Sequence, residues 1–211
     1  MRRCSIIACL LFLVACSDQQ VESSLVERLG VIYEINSQIP FTGVVPNYHD
    51  NGQLKQTKPY VDGKLQGLVQ TYFEIKDDTP EGAIEKGPLK SQVNFVAGKK
   101  DGFSQYYREN GQLQTRKYFT AGLQGGVEII YRENGALESQ KHFEDGKANG
   151  LQETYHTNGQ LSARWNFKEE VKHGLCEEYF ENGQLQYRGQ YVNGEVFHKE
   201  QYSETGRVIF N

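Results

Sequence analysis

The most constraining feature of this chain is a ladder of glycines at a fixed interval. Gly87, Gly111, Gly135, Gly159 and Gly183 are each separated by 24 residues, and asparagine precedes the last four of them. Self-similarity at a short fixed period is the mark of a repeat protein, in which each unit buries its apolar side chains against its neighbours. The sequence therefore predicts an array of similar small units.

Two further glycines extend the ladder at its ends. Gly52 lies 35 residues before Gly87, and Gly206 lies 23 residues after Gly183. The first interval is 11 residues longer than the period, which predicts an insertion of that length within residues 76–86. We therefore expect seven units of about 24 residues in a repeat domain spanning residues 31–211.

Apolar residues recur at fixed places in each unit, eight and four residues before the ladder glycine and two and eight residues after it. In two successive units these are Phe103, Tyr107, Leu113 and Phe119, then Val127, Tyr131, Leu137 and Phe143. Even spacing within each flank puts such side chains on one face of an extended chain, and aromatic and branched residues favour strands. We expect two strands per unit, with all four residues on one face.

The turn at the ladder glycine has two possible forms. The segment around Asn110 and Gly111 could close through a two-residue turn, or through a three-residue loop in which glycine is left-handed. The longer loop is favoured because it places Tyr107 directly opposite Leu113. The predicted turn glycines are Gly52, Gly87, Gly111, Gly135, Gly159, Gly183 and Gly206.

A second turn joins successive units through the pattern aromatic-x-x-Gly-x-x-x-Gly, as in Phe119, Gly122 and Gly126. Glu170 replaces the first glycine in one unit. Two turns per unit predict an all-β fold, an elongated antiparallel meander of repeated hairpins with about 13 or 14 strands. The segment from Leu25 to Gln38 is expected to start the sheet, and Val208, Ile209 and Phe210 to finish it.

These features resemble the bacterial variant of MORN repeats, and more narrowly the toxin–antitoxin system YwqK-family antitoxins. The opening Pro40-Phe41-Thr42-Gly43, followed by Tyr48 and Asn51-Gly52-Gln53-Leu54, is similar to the start of those arrays. The resemblance covers about residues 31–210. It implies a β-hairpin array that acts as a binding or scaffold surface, and it carries no catalytic residues over to this chain.

The first residues predict export and lipidation. Met1-Arg2-Arg3 is basic, and Ser5 to Ala15 is an apolar stretch too short to span a membrane as a helix. Residues 1–15 are therefore expected to be a signal peptide. The ending Leu13-Val14-Ala15-Cys16 resembles a lipobox, which implies fatty acids such as palmitate on Cys16 and a lipidated tether over residues 16–30. The alternative is an ordinary signal that contains a cysteine at its cleavage site.

The residue after the cysteine bears on the compartment. By the sorting rule for bacterial lipoproteins, Ser17 implies anchoring at the outer membrane of a Gram-negative cell envelope. Without Arg2 and Arg3, the formal net charge falls from −4 to −6, which disfavours nucleic acid and anionic lipid headgroups as partners. Membrane contact is expected through the N-terminal lipid alone.

Residues able to do chemistry do not cluster in the sequence. The thiol of Cys176 has no basic neighbour apart from His173, so packing is favoured over reactivity. Neither a metal site, a cofactor nor an enzyme activity is expected, since the histidines have no metal-ligand spacing and are expected to be solvated. They are His49, His142, His156, His173 and His198.

Aromatic residues at odd positions of the repeat are the candidate partner-binding residues. Phe73, Tyr106, Tyr118 and Phe180, together with Ile130, interrupt an otherwise polar second face. Exposed aromatic residues on a rigid array can anchor a protein partner. In the alternative interpretation, sheet twist and bulges shift these residues, which then pack at edges or between strands.

The sequence thus predicts an envelope-anchored lipoprotein whose β-repeat array is a protein-binding scaffold, with neutralisation of a toxin as one role. The alternative is a structural envelope protein that binds peptidoglycan or polysaccharide through exposed aromatic side chains.

Overall fold

The computed structural model describes residues 24–75 and 86–210. The predicted signal peptide, Cys16 and nearly all of the predicted insertion lie outside these ranges. The described chain consists of strands and turns and contains no α-helix. The strands are β1 Leu25–Arg28, β2 Val31–Glu34, β3 Gly43–Tyr48, β4 Leu54–Val61, β5 Lys64–Leu65, β6 Gly67–Tyr72, β7 Leu89–Val96, β8 Lys99–Tyr107, β9 Leu113–Thr120, β10 Leu123–Tyr131, β11 Leu137–Glu144, β12 Lys147–Tyr155, β13 Leu161–Lys168, β14 Val171–Tyr179, β15 Leu185–Val192, β16 Glu195–Tyr202 and β17 Val208–Phe210.

One sheet contains every strand from β3 onward, in sequence order. It runs from β3 through β4 and β6 to β17, and the short β5 pairs with β4. Neighbouring strands are antiparallel throughout. The predicted fold class, a long antiparallel meander of consecutive hairpins, is confirmed.

The hairpin turns have the predicted three-residue form. Tyr107 pairs with Leu113, and the same register recurs in the equivalent hairpins. The N–H of Gly111 donates to the carbonyl of Arg108 at 2.9 Å, and Gly111 has a φ of 83°. This left-handed conformation costs glycine little, which explains the residue at this position.

Gly87 departs from the other ladder glycines. Its φ lies outside the left-handed region, and Tyr72 pairs with Leu89 across a longer connection. A Cβ atom at Gly87 would lie 2.1 Å from the carbonyl oxygen of Phe73. The prediction that Gly87 closes a three-residue hairpin is therefore wrong, and the residue instead permits close approach of two backbone segments.

The turns that join units contain two successive left-handed residues, as in type I′ turns. Ala121 and Gly122 have φ values of 50° and 95°. The N–H of Gly122 donates to the carbonyl of Lys100 at 2.8 Å, so each joining turn is hydrogen-bonded to the preceding unit. At the degenerate turn, Glu169 and Glu170 adopt φ values of 50° and 70° without a glycine.

The expectation that four apolar residues of each unit share one face is wrong. Phe103 pairs with Tyr118, whereas Phe119 pairs with Gly102. Consecutive residues of a strand point to opposite faces, so Phe103 and Phe119 lie on opposite sides of the sheet. The cause is a bulge beside the hairpin, where Gln114 has no opposite residue and shifts the alternation.

The two faces can be named by their cations. The arginine face carries Arg116, Arg164 and Arg188, and the lysine face carries Lys117 and Lys141 together with Lys172. Most of the buried apolar side chains lie on the lysine face, with Val45, Val69, Val93, Phe119, Ala148, Ala163 and Cys176 each at most 9% exposed.

The N-terminal segment does not form the first strand of the main sheet, contrary to expectation. β1 and β2 make a separate two-stranded sheet. The N–H of Ile32 donates to the carbonyl of Gly63 at 2.9 Å, which ties this hairpin to the first joining turn. Since β1 begins at Leu25, the predicted tether over residues 16–30 extends too far toward the C-terminus and overlaps this strand. At the other end, β17 finishes the sheet as predicted.

Candidate interaction surfaces

A single row of directly paired side chains crosses the arginine face from β3 to β16. Because paired residues of an antiparallel sheet point to the same side, these side chains are neighbours along the whole array. In order, the row is Pro46, Thr57, Gln70, Gln92, Gln105, Arg116, Ile129, Gln140, Glu153, Arg164, Glu177, Arg188 and Glu200. The last five residues alternate in charge.

This charged segment, Glu153 to Glu200, is an ion-pair ladder. Nε of Arg164 lies 2.8 Å from Oε1 of Glu153, and Nε of Arg188 lies 3.1 Å from Oε1 of Glu177. The glutamate side chains are 9% exposed, whereas the side chains of the two arginines are almost half exposed. The carboxylates are therefore shielded from water by the arginines that pair with them.

Hydrogen bonds hold the carboxylate of Glu153 in its ionised form. Burial by itself raises its pKa, but hydrogen bonds from Gln140, Arg164 and Tyr155 outweigh burial and bring the pKa below the usual range for glutamate. The hydroxyl of Tyr155 donates to Oε2 of Glu153 at 3.0 Å. Burial, followed by this hydrogen bond, raises the pKa of Tyr155.

The lysine face pairs its ammonium groups with aromatic rings. Nζ of Lys141 lies 5.2 Å from the centre of the Phe143 ring and 5.3 Å from that of Phe167. Nζ of Lys172 lies 3.8 Å from the centre of the Trp165 ring. Such cation–π contacts stabilise a lysine at a surface while leaving its N–H groups able to donate outward.

Buried polar atoms also lie on the lysine face. Oγ of Ser104 and Nε1 of Trp165 have no hydrogen-bond partner among the described residues. Cys176 is fully buried between the strands that carry Trp165 and Gly189, with which it pairs. Burial raises the pKa of the Cys176 thiol, which agrees with a packing role.

The hairpin tips are linked to one another by side chains of the first loop position. Nη2 of Arg108 donates to the carbonyl of Tyr131 in the next unit at 2.7 Å, and His156 Nε2 lies 2.8 Å from the carbonyl oxygen of Tyr179. His49 makes the equivalent contact with the carbonyl of Tyr72 at 3.2 Å. The expectation that all five histidines are solvated is therefore wrong for His49 and His156, and also for His173, whose Nδ1 is buried.

The four candidate partner-binding residues do not form one strip. Tyr118 is on the arginine face and 38% exposed, with its ring in edge contact with that of Phe103. Tyr106 lies on the lysine face and is half-buried, and its pKa is raised by burial and by Glu128. Phe73 and Phe180 are at hairpin tips and partly buried. The structure thus separates them, because bulges shift the strand alternation.

The two charged features were absent from the sequence-based predictions, although the repeat period contains a signal for both. Glu153 and Glu177 are 24 residues apart, as are Arg164 and Arg188, and Lys117 and Lys141. These residue types therefore recur at the same 24-residue period as the turn glycines. Only the register, however, shows that the glutamates and arginines are neighbours in one row.

Two further features concern ligands and membranes. Within residues 24–75 and 86–210, no group of three or more His, Cys, Asp or Glu side chains is arranged to hold a metal ion. The same part of the chain has no helix with the length and apolar character needed to cross a membrane.

Comparison with known proteins agrees with the hairpin architecture. Residues 41–62, 148–169 and 172–193 match the family model described as MORN repeat variant. These three segments are MORN repeats. The first comprises β3 and β4 with their hairpin turn, and the other two comprise β12 and β14 from their second residues onward, with β13 and β15 respectively. MORN repeats are in general protein-binding or membrane-binding modules. No curated protein matches the chain.

Proposed function

We propose that this protein is an envelope-anchored lipoprotein whose MORN-repeat sheet binds another protein, with toxin neutralisation as one form of that role. The observation that carries the proposal is the continuous row of side chains across the arginine face. Hydrogen bonds at the joining turns and at the hairpin tips link the backbone of each unit to the next, and they hold this row in place. A rigid surface of this kind loses little conformational entropy on binding. The proposal includes no enzyme activity and no cofactor.

Affinity capture tests the protein-binding role. The full-length protein, tagged at its C-terminus, is purified from detergent-solubilised membranes under several growth conditions, beside an Arg164→Glu variant that disrupts the ion-pair ladder. We expect one or a few proteins to be recovered in near-stoichiometric amounts with the native chain. Recovery of none under every condition would overturn the protein-binding role.

Lipid anchoring rests on Cys16 and has its own test. Cells grown with a labelled fatty acid should incorporate label into the native chain and none into Cys16→Ala. Fractionation of the native chain should place it in the outer membrane. Equal labelling of both chains would refute the lipid attachment, and a water-soluble native chain would refute the anchor.

The exposed pair of Phe103 and Tyr118 favours a second candidate function, binding of peptidoglycan or polysaccharide. Their ring centres are 5.2 Å apart on the arginine face, and aromatic rings can stack on sugars. Sedimentation with purified cell wall tests this candidate. Loss of co-sedimentation in a Phe103→Ala, Tyr118→Ala double variant would support it, and failure of the native chain to sediment would exclude it.

A further inference from the structure

Several lysines of the lysine face form no ion pair with any carboxylate in residues 24–75 and 86–210. Lys100 and Lys141, together with Lys172, form no ion pair within the part of the chain that the structure describes, whereas Lys117 lies 3.5 Å from a Glu128 oxygen. Each of the unpaired ammonium groups lies within 5.3 Å of the centre of an aromatic ring. Every ammonium therefore stands beside an apolar surface and keeps N–H groups that can donate to an anion.

These three lysines lie at equal intervals across the strands, with Lys141 about two residues nearer to the row of the arginine face along the strand direction than the other two. Lys100 is on β8, Lys141 on β11 and Lys172 on β14, so successive lysines are three strands apart. At the usual spacing of strands, the separation across the sheet is roughly 14 Å. An extended polypeptide covers that distance in about four residues. Carboxylates at every fourth residue of an extended segment would therefore match the lysines.

The protein's own N-terminal hairpin occupies the corresponding surface of the first unit. Leu25 and Ile32 border a cleft together with Val45 and Lys58 of the lysine face, and Glu27 borders the same cleft. An apolar segment with a carboxylate among its side chains thus already lies against this face. Beyond the first unit, the face continues without such a cover from the described residues.

We infer that the lysine face of the later units binds an extended segment of a partner protein, in which carboxylate side chains alternate with apolar ones. The inference rests on the proposed protein-binding function and assigns it a second surface, on the side of the sheet opposite the arginine row, together with the partner's chemistry. The carboxylates bind Lys100, Lys141 and Lys172, and the apolar side chains pack on the rings between them. Charge-assisted hydrogen bonds of this kind are stronger than neutral ones.

The arrangement favours separated carboxylates over a continuous polyanion. Glu128 and Glu178 also lie on the lysine face, as their pairing with Lys141 and with Ala163 shows. A nucleic acid or an anionic membrane surface would bring negative charge close to both of them. An extended peptide can instead place neutral side chains there.

Binding of designed peptides tests the inference. Fluorescent twelve-residue peptides with the repeat Glu-Ser-Val-Ser, and counterparts with Gln or Lys in place of Glu, are titrated into the full-length protein in detergent micelles. The Glu peptide should bind about tenfold or more tightly than the Gln peptide. Its affinity should fall as salt is raised, and the Lys peptide should not bind.

Variants locate the binding surface. A Lys141→Glu, Lys172→Glu double variant should weaken binding of the Glu peptide about tenfold or more. The Lys141→Gln, Lys172→Gln double variant should weaken binding of the Glu peptide less. It replaces the charge-reversal variant in the test if that variant does not fold. Lys168→Glu, an exposed position of β13 on the opposite face, should leave binding unchanged.

Three results would overturn the inference. They are equal binding of the Glu and Gln peptides, equal losses in the Lys168 control, and tighter binding to phosphatidylglycerol vesicles than to the Glu peptide. If capture recovers a protein whose binding is unaffected by the Lys141 and Lys172 variants, the proposed function stands and this surface is wrong. If capture recovers no protein, the proposed function itself fails.

Discussion

Gln105 and Glu153 occupy equivalent positions in two units, and their surroundings are nearly the same. Gln105 pairs with Gln92 and Arg116 on the adjacent strands, and Glu153 pairs with Gln140 and Arg164. A tyrosine follows two residues later in both units. The two units differ at this position by an amide in one and a carboxylate in the other. Two further differences accompany it, since Arg116 has Ile129 on its other side where Arg164 has Glu177, and Leu151 stands in the place of Phe103.

The two arginines make different contacts in these surroundings. Arg164 points its Nε at the carboxylate of Glu153 at 2.8 Å. Arg116 instead lies over the ring of Phe103, 5.4 Å from its centre, while Gln105 accepts a hydrogen bond from Gln92 at 2.7 Å. The same backbone thus supports a neutral segment of the row near Gln105 and an ionic one from Glu153 onward. The turns determine the backbone fold, whereas the side chains of the row determine whether the surface of each region is neutral or ionic.

Charge reversal of the two arginines should produce the largest difference in stability between the ionic and the neutral region. Arg164→Glu places a carboxylate between the nearly buried Glu153 and Glu177, and should lower the free energy of unfolding by about 3 kcal/mol. The matched variant Arg116→Glu lies between Gln105 and Ile129 and should cost about 1 kcal/mol. Urea denaturation followed by circular dichroism measures both. Equal losses would show that the ladder makes no special contribution.

Removal of one charge tests the ionic region more gently. Glu153→Gln should cost about 1–2 kcal/mol at pH 7, because the carboxylate accepts three hydrogen bonds. The pKa of Glu153 is lowered in the folded state, so its contribution is present above the unfolded pKa near 4.3 and disappears as pH falls through the folded pKa. The stability difference between wild type and variant should thus shrink below about pH 4. A difference independent of pH would contradict this assignment.

The joining turns offer a parallel comparison between Glu170 and the glycine at the equivalent place, Gly146. Glu170 has a φ of 70°, a conformation that disfavours residues with a Cβ atom. Glu170→Gly should raise the free energy of unfolding by about 1 kcal/mol.

Gly146→Ala is the matched control and should lower stability by a similar amount. Its φ is 85°, and the added Cβ would meet only ordinary contact with Leu123 at 3.8 Å, so backbone strain is isolated. Thermal unfolding measures both variants. Destabilisation by Glu170→Gly would show that contacts of the glutamate outweigh the strain.

The smallest expected effect comes from converting the neutral unit into the ionic one. Gln105→Glu gives Arg116 a carboxylate neighbour like that of Arg164 and should change stability by about 0.5 kcal/mol at most, because the gain of an ion pair offsets loss of the Phe103 contact. A crystal structure should show Arg116 turned from Phe103 toward the new carboxylate. An arginine that stays on the ring would limit the comparison to the ionic region.

The local geometry was largely predictable from the sequence. The left-handed glycine at Gly111 and the pairing of Tyr107 with Leu113 follow from turn chemistry and a short spacing. The sequence did not show which apolar side chains share a face of the sheet, because Gln114 is an unpaired residue that reverses the alternation of side chains along β9. Phe73, Tyr106, Tyr118 and Phe180 lie apart from one another in the structure, and their role in binding a partner stays a prediction.

The sequence by itself determined the repeat, the two kinds of turn and the antiparallel order, because these depend on residues close together in the chain. Tertiary structure alone decided which distant side chains are neighbours. The glutamates at 153 and 177 and the arginines at 164 and 188 form one ladder only because bulges and register bring them to the same face. The position of β1 and β2 depends on a bond from Ile32 to Gly63, a contact between residues with no local sequence relation.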